Sequence, residues 1–166
     1  MKKLIQGVAA SAVFAFASAA AFAAPVLTYN GHDYYYTTAA TSWTAAEAQA
    51  VSLGGHLVAI NDAAEQAALG GAFGTTERLW IGLTDALVEG VFTWTNGDAL
   101  TYTNWNAGEP NNSGGEDYVV INWANAGKWN DLPDAGCCTN PLTPLRGLIE
   151  VTHVPEPGSL ALAGLA

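Results

Sequence analysis

Apolar and polar positions follow three regimes along the chain. Residues 4–23 run almost without a polar side chain behind Met1-Lys2-Lys3 and end Ala21-Phe22-Ala23. A basic start, an apolar run and a small-x-small end form the pattern of a secretory signal peptide. The pattern predicts export and cleavage after Ala23, because cleavage one residue later would put Pro25 beside the scissile bond. Residues 24–153 break into short apolar segments separated by Gly, Asn and Thr. Residues 154–166 turn from Val154-Pro155-Glu156-Pro157-Gly158-Ser159 into the apolar run Leu160-Ala161-Leu162-Ala163-Gly164-Leu165-Ala166. That run is well short of the ~20 residues that span a bilayer.

Within 24–153 the early segments alternate in type. Tyr29-Asn30-Gly31-His32 reads as a turn and Asp33-Tyr34-Tyr35-Tyr36 as a strand. Thr44-Ala45-Ala46-Glu47 has capping-box spacing and predicts a helix over 44–53, stopped by Gly54-Gly55. His56-Leu57-Val58-Ala59-Ile60 reads as a strand. Asp62-Ala63-Ala64-Glu65 opens a second helix over 62–69, which Gly70-Gly71 ends. Leu79-Trp80-Ile81-Gly82-Leu83 is an apolar strand, and beyond Thr84 only strands and loops are predicted. Asn96-Gly97 marks a turn, and 105–115 is a loop of Asn, Gly, Pro and Ser. Tyr118-Val119-Val120-Ile121 and Leu148-Ile149-Glu150-Val151 are strands, and Gly127-Lys128-Trp129 begins another. Two early helices followed by many short strands predict an α+β domain of one hydrophobic core. Trp80, Ile81, Leu83, Val119 and Ile121 are the expected core.

Charge narrows the function. The formal net charge is −10 and two of the five basic residues lie in the expected signal peptide. An acidic surface without a basic stripe excludes the usual phosphate-backbone readout, so no nucleic-acid partner is expected. Cys137 and Cys138 are the only cysteines and are adjacent. Neighbouring Cα atoms lie about 3.8 Å apart, shorter than the usual disulfide range of roughly 4.4–6.8 Å. A vicinal bridge, a bridge to another chain and two free thiols all remain open. The fold must therefore rest on packing and metal rather than on a disulfide frame.

Converging acidic groups bind hard cations instead. Ca²⁺ takes six to eight oxygen ligands from carboxylates, amide carbonyls and backbone. Glu109, Asn111, Glu116, Asn130 and Asp131 supply that donor type from one loop and the strand that follows. Pro110 lies between the first two, where an X–Pro amide makes a cis bond cheap. Each tripeptide alone reads as an ordinary surface turn; their order and combination favour a ligand set. Glu109 and Glu116 also invite a paired-carboxylate glycosidase reading, but that loop is already accounted for by metal. His32, His56 and His153 show no triad or metal spacing. No enzymatic activity is expected.

In these stretches the chain resembles the C-type lectin domain family, over roughly residues 29–151. Trp80-Ile81-Gly82-Leu83 looks like that family's core signature, continued by Thr84-Asp85, Glu89-Gly90, Phe92 and Trp94. Glu109-Pro110-Asn111 looks like its mannose/glucose-type sugar tripeptide and Trp129-Asn130-Asp131 like the partner motif. The resemblance implies two helices packed on small antiparallel sheets with a long loop. It implies that Glu109, Asn111, Glu116, Asn130 and Asp131 coordinate one Ca²⁺, which also takes two adjacent sugar hydroxyls. A second ion is implied at Asp85, Glu89, Asn112, the Glu116 carbonyl and Asp117; Asp85 and Glu89 serve equally well as turn and cap residues. Tyr118 and Ile149 stand where the family has cysteines, so both usual bridges are lost, and the segment 132–146 is longer than usual.

The tail resembles the start of a PEP-CTERM sorting signal, in which an apolar helix and a basic cluster follow and an exosortase processes the chain. Neither later part follows here, so the signal reads as truncated. The expected organisation is a signal peptide at 1–23, a C-type lectin domain at 24–153 and a truncated PEP-CTERM-like tail at 154–166. The leading functional expectation is calcium-dependent binding of mannose-, glucose- or fucose-type sugars by an exported bacterial-type lectin. Its partners would be glycans or an exopolysaccharide, in the medium or at the cell surface. The alternative is an adhesive or structural module that uses the same fold for protein or ice contact.

Overall fold

The computed structural model describes residues 24–137 and 143–154. The expected signal peptide, Cys138 and the Pro-Glu-Pro tail from 155 onward lie outside the described residues. Strands β1 (Leu27–Tyr29) and β2 (His32–Tyr36) form a hairpin through Asn30-Gly31, both at positive φ. Helix α1 (Trp43–Ser52), the short strand β3 (His56–Leu57) and helix α2 (Ala63–Phe73) follow. The rest is β4 (Leu79–Thr84), β5 (Thr93–Trp94), β6 (Tyr118–Ile121), β7 (Trp129–Leu132) and β8 (Arg146–Thr152).

The α+β class and the two helices agree with the sequence; their ends differ. Helix α1 starts one residue early because the cap is Ser42, two residues before Thr44; it accepts from the Ala45 N–H at 3.2 Å. Glu47 does not close a capping box: its carboxylate accepts from Leu57 N at 2.8 Å and meets His56 Nδ1 at 2.6 Å, tying the helix to β3. Helix α2 runs through Gly70-Gly71 to Phe73. The ring of Phe73 buries against Tyr36 edge-on, with centroids 4.8 Å apart, and that tertiary contact outweighs the helix-breaking tendency of two glycines. Gly74 at φ 79° ends it. Asp62 caps its start, accepting from Ala64 N and Glu65 N, both at 2.8 Å.

The strands join in one path, β1-β2-β8-β4-β6-β7, with β3 on β8 and β5 on β4. The expectation of purely antiparallel sheets is corrected at one joint, where β4 and β8 run parallel through Leu79↔Arg146 and Trp80↔Gly147. The last strand enters between elements made much earlier, which fixes its direction. Side chains alternate along β4 as a strand requires. Leu79, Ile81 and Leu83 join one buried cluster with Val119, Ile121 and Trp129, while Trp80 joins Trp43, Leu57, Val120 and Leu132 on the other face. The five expected core residues are all at most 3% exposed. Each such aliphatic side chain stabilises the fold by roughly 1.5–3 kcal/mol. Gly82 is required by close approach, since a Cβ there would stand 2.3 Å from the Leu57 carbonyl oxygen.

Trp129 is the pivot between core and loop. Trp94, Tyr102 and Trp105 each meet its ring edge-on at 5.8 Å, and its indole N–H donates to Gln66 Oε1 at 3.0 Å. Those rings fasten the long β5–β6 connection to β7.

Candidate functional site

The site grows from β7 and the loop laid beside it. Backbone bonds Trp129 N–H to Asn104 O at 3.0 Å and Asn106 N–H to Trp129 O at 2.9 Å start the loop along the strand edge. The chain then turns at Gly108 (φ 92°) and passes through a cis Glu109–Pro110 bond. The Asn111 amide donates to Glu109 Oε2 across the proline. Asp131, fully buried, reaches under the loop: its two carboxylate oxygens accept from Asn111 N at 3.2 Å and Asn112 N at 2.8 Å. Ser113 N donates to both Asn111 Oδ1 at 2.8 Å and Glu116 Oε2 at 2.9 Å, and Asn112 Oδ1 accepts from Glu116 N at 2.7 Å.

The structure thus brings Glu109, Asn111, Glu116 and Asp131 into one network. Asn130 is next to Asp131 on the strand, 2% exposed. Its Nδ2 donates to the Asp131 carbonyl at 2.6 Å, and its Oδ1 is buried with no hydrogen-bond partner. An unsatisfied buried amide oxygen costs about 1–3 kcal/mol. Burial, then the charge of Asp131, raises the Glu109 pKa above the usual carboxylate range, against the opposing bond from Asn111. Burial also raises Glu116; the Ser113 N–H works against it, and the charges of Asp131 and Glu109 add to it. Mutual repulsion is the mark of a carboxylate group short of a counter-charge.

The donor set is all oxygen, which fits a hard cation such as Ca²⁺. The orphaned Asn130 Oδ1 is the atom such an ion would satisfy. Among the described residues, however, no three His, Cys, Asp or Glu side chains stand together as a metal group. The three carboxylates of the network are fastened to loop N–H groups, and the remaining oxygen donors are the amides of Asn111 and Asn130.

The second implied set is less gathered. Asp85 is buried, accepts from Gly90 N at 2.9 Å through Oδ2, and leaves Oδ1 unpartnered. Its N–H donates to the Asp117 carbonyl at 3.2 Å, which also accepts the Thr84 hydroxyl at 2.7 Å. Glu89 and Asn112 are exposed, and the Asn112 side-chain oxygen is occupied by Glu116 N. The sequence reading missed Ser113 as the joint of the loop and Asn104 and Asn106 as its anchor. Only their position beside a Trp-Asn-Asp strand would have signalled it. Each histidine pairs with a separate carboxylate: His32 with Glu150 at 2.9 Å, His56 with Glu47 and His153 with Asp33 at 2.7 Å.

A two-helix, mixed-sheet domain with an oxygen-rich loop over a Trp-Asn-Asp strand is a lectin-type scaffold. The model of the lectin C-type domain matches residues 39–141, and the chain belongs to the C-type lectin domain family. It is 38% identical to ladderlectin of Oncorhynchus mykiss over 109 residues, which are 63% of this chain and 57% of that protein. The carbohydrate-recognition domain of cow CD23, crystallised in the presence of a GlcNAc2Man3 oligosaccharide, matches with TM-score 0.66 and 30% identity. That match covers 76% of this chain and 92% of the other. A calcium-independent type II antifreeze protein shares the fold, with TM-score 0.67 at 24% identity over 77% of this chain and 92% of that one.

Proposed function

We propose that this domain is an exported, non-enzymatic, calcium-dependent lectin for mannose-, glucose- or fucose-type sugars. Glu109, Asn111, Glu116, Asn130 and Asp131 would hold the ion and the sugar together. The observation that carries the reading is the buried, unpartnered Asn130 Oδ1 beside carboxylates whose charges repel one another. A bound Ca²⁺ supplies two positions for adjacent sugar hydroxyls. The chain's own part is orientation and hydrogen bonding. Carboxylate oxygens of Glu109 and Glu116 accept from hydroxyl protons, and the Asn111 and Asn130 amides donate to hydroxyl oxygens. Asp131 positions the loop by receiving the Asn111 and Asn112 N–H groups. Cow CD23, with its oligosaccharide, supports the sugar class.

Export rests on the residues 1–23 pattern, with a mature domain of 24–153 and a tail from 154 open to an exosortase. A mature mass beginning at Ala24 checks it. The binding test is a glycan array run with calcium and again with EDTA. Binding of an exopolysaccharide or simple hexoses that EDTA abolishes is the expected result.

The second reading, an adhesive or structural module, is favoured by one observation: the carboxylates are already fastened by their own loop. Calcium binding with an empty array would give it the lead.

A further inference from the structure

We infer that Asn112 is the positioning residue of the lectin loop: its side chain ties Glu116 to the stretch that Asp131 anchors, so that Glu116 meets a cation already in place. The inference rests on the calcium reading proposed above. It gives Asn112 a part that the family resemblance does not, since the resemblance puts Asn112 among the ligands of a second ion. Here Asn112 acts on the first ion, and only through Glu116.

The oxygen donors of the site differ in how they are held. Asn130 and Asp131 belong to β7 itself, and Asp131 is fully buried. Asn111 is fastened to that strand by its N–H on Asp131 Oδ1 at 3.2 Å, and Glu109 is joined to the Asn111 amide across Pro110. Glu116 is the exception. It follows Ser113-Gly114-Gly115, with Gly114 at φ 86° and Gly115 at φ 90°. Glycine loses more conformational freedom on ordering than any other residue. A carboxylate carried on such a stretch arrives at a fixed place only if something spans the glycines.

Asn112 spans them. Its N–H donates to Asp131 Oδ2 at 2.8 Å, its side-chain Oδ1 accepts from Glu116 N at 2.7 Å, and its carbonyl accepts from Gly115 N at 3.3 Å. One residue thus makes one bond back to the strand and two across the glycine pair. Its backbone sits at φ 47°, a left-handed conformation that Asn adopts more readily than most residues with a side chain. Ser113 N donates to Glu116 Oε2 at 2.9 Å, so the carboxylate of Glu116 is aimed as well as its backbone. All of these bonds join protein groups to one another, so they should persist in EDTA. Ordering Glu116 beforehand removes an entropy cost that an incoming ion would otherwise meet, which is how groups behind a metal's ligands raise its affinity.

The test compares the full chain with its Asn112→Gly variant, by calcium calorimetry and by amide hydrogen exchange in EDTA. Glycine accepts the left-handed backbone and removes only the side-chain bond. In the parent the Glu116 N–H should be protected in EDTA. In Asn112→Gly that protection should be lost and calcium affinity should fall about tenfold at unchanged stoichiometry. The melting temperature in EDTA should not change. Asn112→Asp, which keeps an acceptor at the same place, should restore both the protection and the affinity. Equal calcium affinity in Asn112→Gly and the parent overturns this inference alone. A glycine variant that loses an ion from the stoichiometry while Glu116 stays protected makes Asn112 a ligand and also overturns it. A parent that binds no calcium overturns the calcium reading, and this inference with it.

Discussion

Two groups of carboxylates in this domain have met the cost of burial differently. Glu65 and Glu150 lie between α2, β2 and β8, 7% and 8% exposed. Protein donors satisfy them: Tyr34 O–H and Asn61 N–H reach Glu65 at 2.7 and 2.8 Å, and Ala59 N–H and His32 reach Glu150 at 3.1 and 2.9 Å. Glu109, Glu116 and Asp131 instead rest on a loop whose shape they themselves maintain, beside an amide oxygen with no partner. Each of the four carboxylate oxygens in the first group has a protein partner. The second has acceptors in excess, and a cation is the component that the proposed function assigns to it. Counting donors against acceptors separates a structural acidic cluster from a ligand-seeking one, where a count of acidic residues does not.

The largest effects should break the two groups apart. Asp131→Ala should lower calcium affinity by more than about a hundredfold, since even supporting groups around a metal are typically worth 10–100-fold. Sugar binding should go with it while near-ultraviolet circular dichroism stays native. Glu65→Ala should do the reverse. It strands the Tyr34 hydroxyl and the Asn61 N–H and should cost about 2–3 kcal/mol in urea denaturation, with calcium affinity held within about twofold. Calorimetry on both variants decides it: calcium binding by Asp131→Ala equal to the parent sinks the site.

The contrast was half legible in the sequence. The meeting of Glu109, Asn111, Glu116 and Asp131, with Asn130 beside them, was readable because oxygen-bearing side chains of one kind come from a single loop and strand. So were the core and the start of α2, where the apolar pattern and Asp62 capping agree with the fold. Glu150 was read only as part of an apolar strand. Its partners His32, Ala59 and Glu65 come from three other segments, and no local pattern encodes that meeting. The helix end at Phe73 was misread for the same reason: a ring packed on Tyr36, not Gly70-Gly71, decides it. The parallel β4–β8 joint depends on where the last strand inserts, which strand periodicity does not carry.

The pH response should sharpen the comparison, because acidification should raise stability and lower calcium affinity. Burial raises the Glu150 pKa to about 7, assisted by the charges of Glu65 and Asp98 and opposed by the Ala59 N–H and His32. Its ordinary value is 4.5. Between those values the folded chain holds a proton that the unfolded chain has released. The contribution is therefore full below about 4.5 and is lost as pH rises through about 7. In EDTA, stability should rise on acidification from pH 8 to 5, with Glu150 contributing on the order of 2 kcal/mol. Glu150→Gln should flatten that part of the slope, and a slope unchanged in this variant contradicts the assignment. Calcium affinity should fall over the same acidification, because Glu109 and Glu116, with raised pKa values, take up protons at the ion's expense.

The smallest effect tests which atoms of the loop face the sugar. Glu109 and Asn111 flank the cis Pro110 peptide bond, and the Asn111 amide already donates to the Glu109 carboxylate. Exchanging them in the double variant Glu109→Gln, Asn111→Asp keeps the number of oxygens and the total charge but swaps an acceptor-only end for one that donates. Asp131 grips the backbone N–H groups at Asn111 and Asn112, not their side chains, so the loop path should survive the exchange. Calcium affinity should therefore change little. A hydroxyl pair that met an acceptor on one side and a donor on the other now meets them reversed. Preference should move from mannose-like toward galactose-like sugars by about 1 kcal/mol, a several-fold change in relative affinity. Competition of the two monosaccharides against one immobilised glycan, in saturating calcium, reads it directly. Retained calcium with an unaltered sugar order would place the sugar away from the Glu109–Asn111 edge and leave only the ion at this loop.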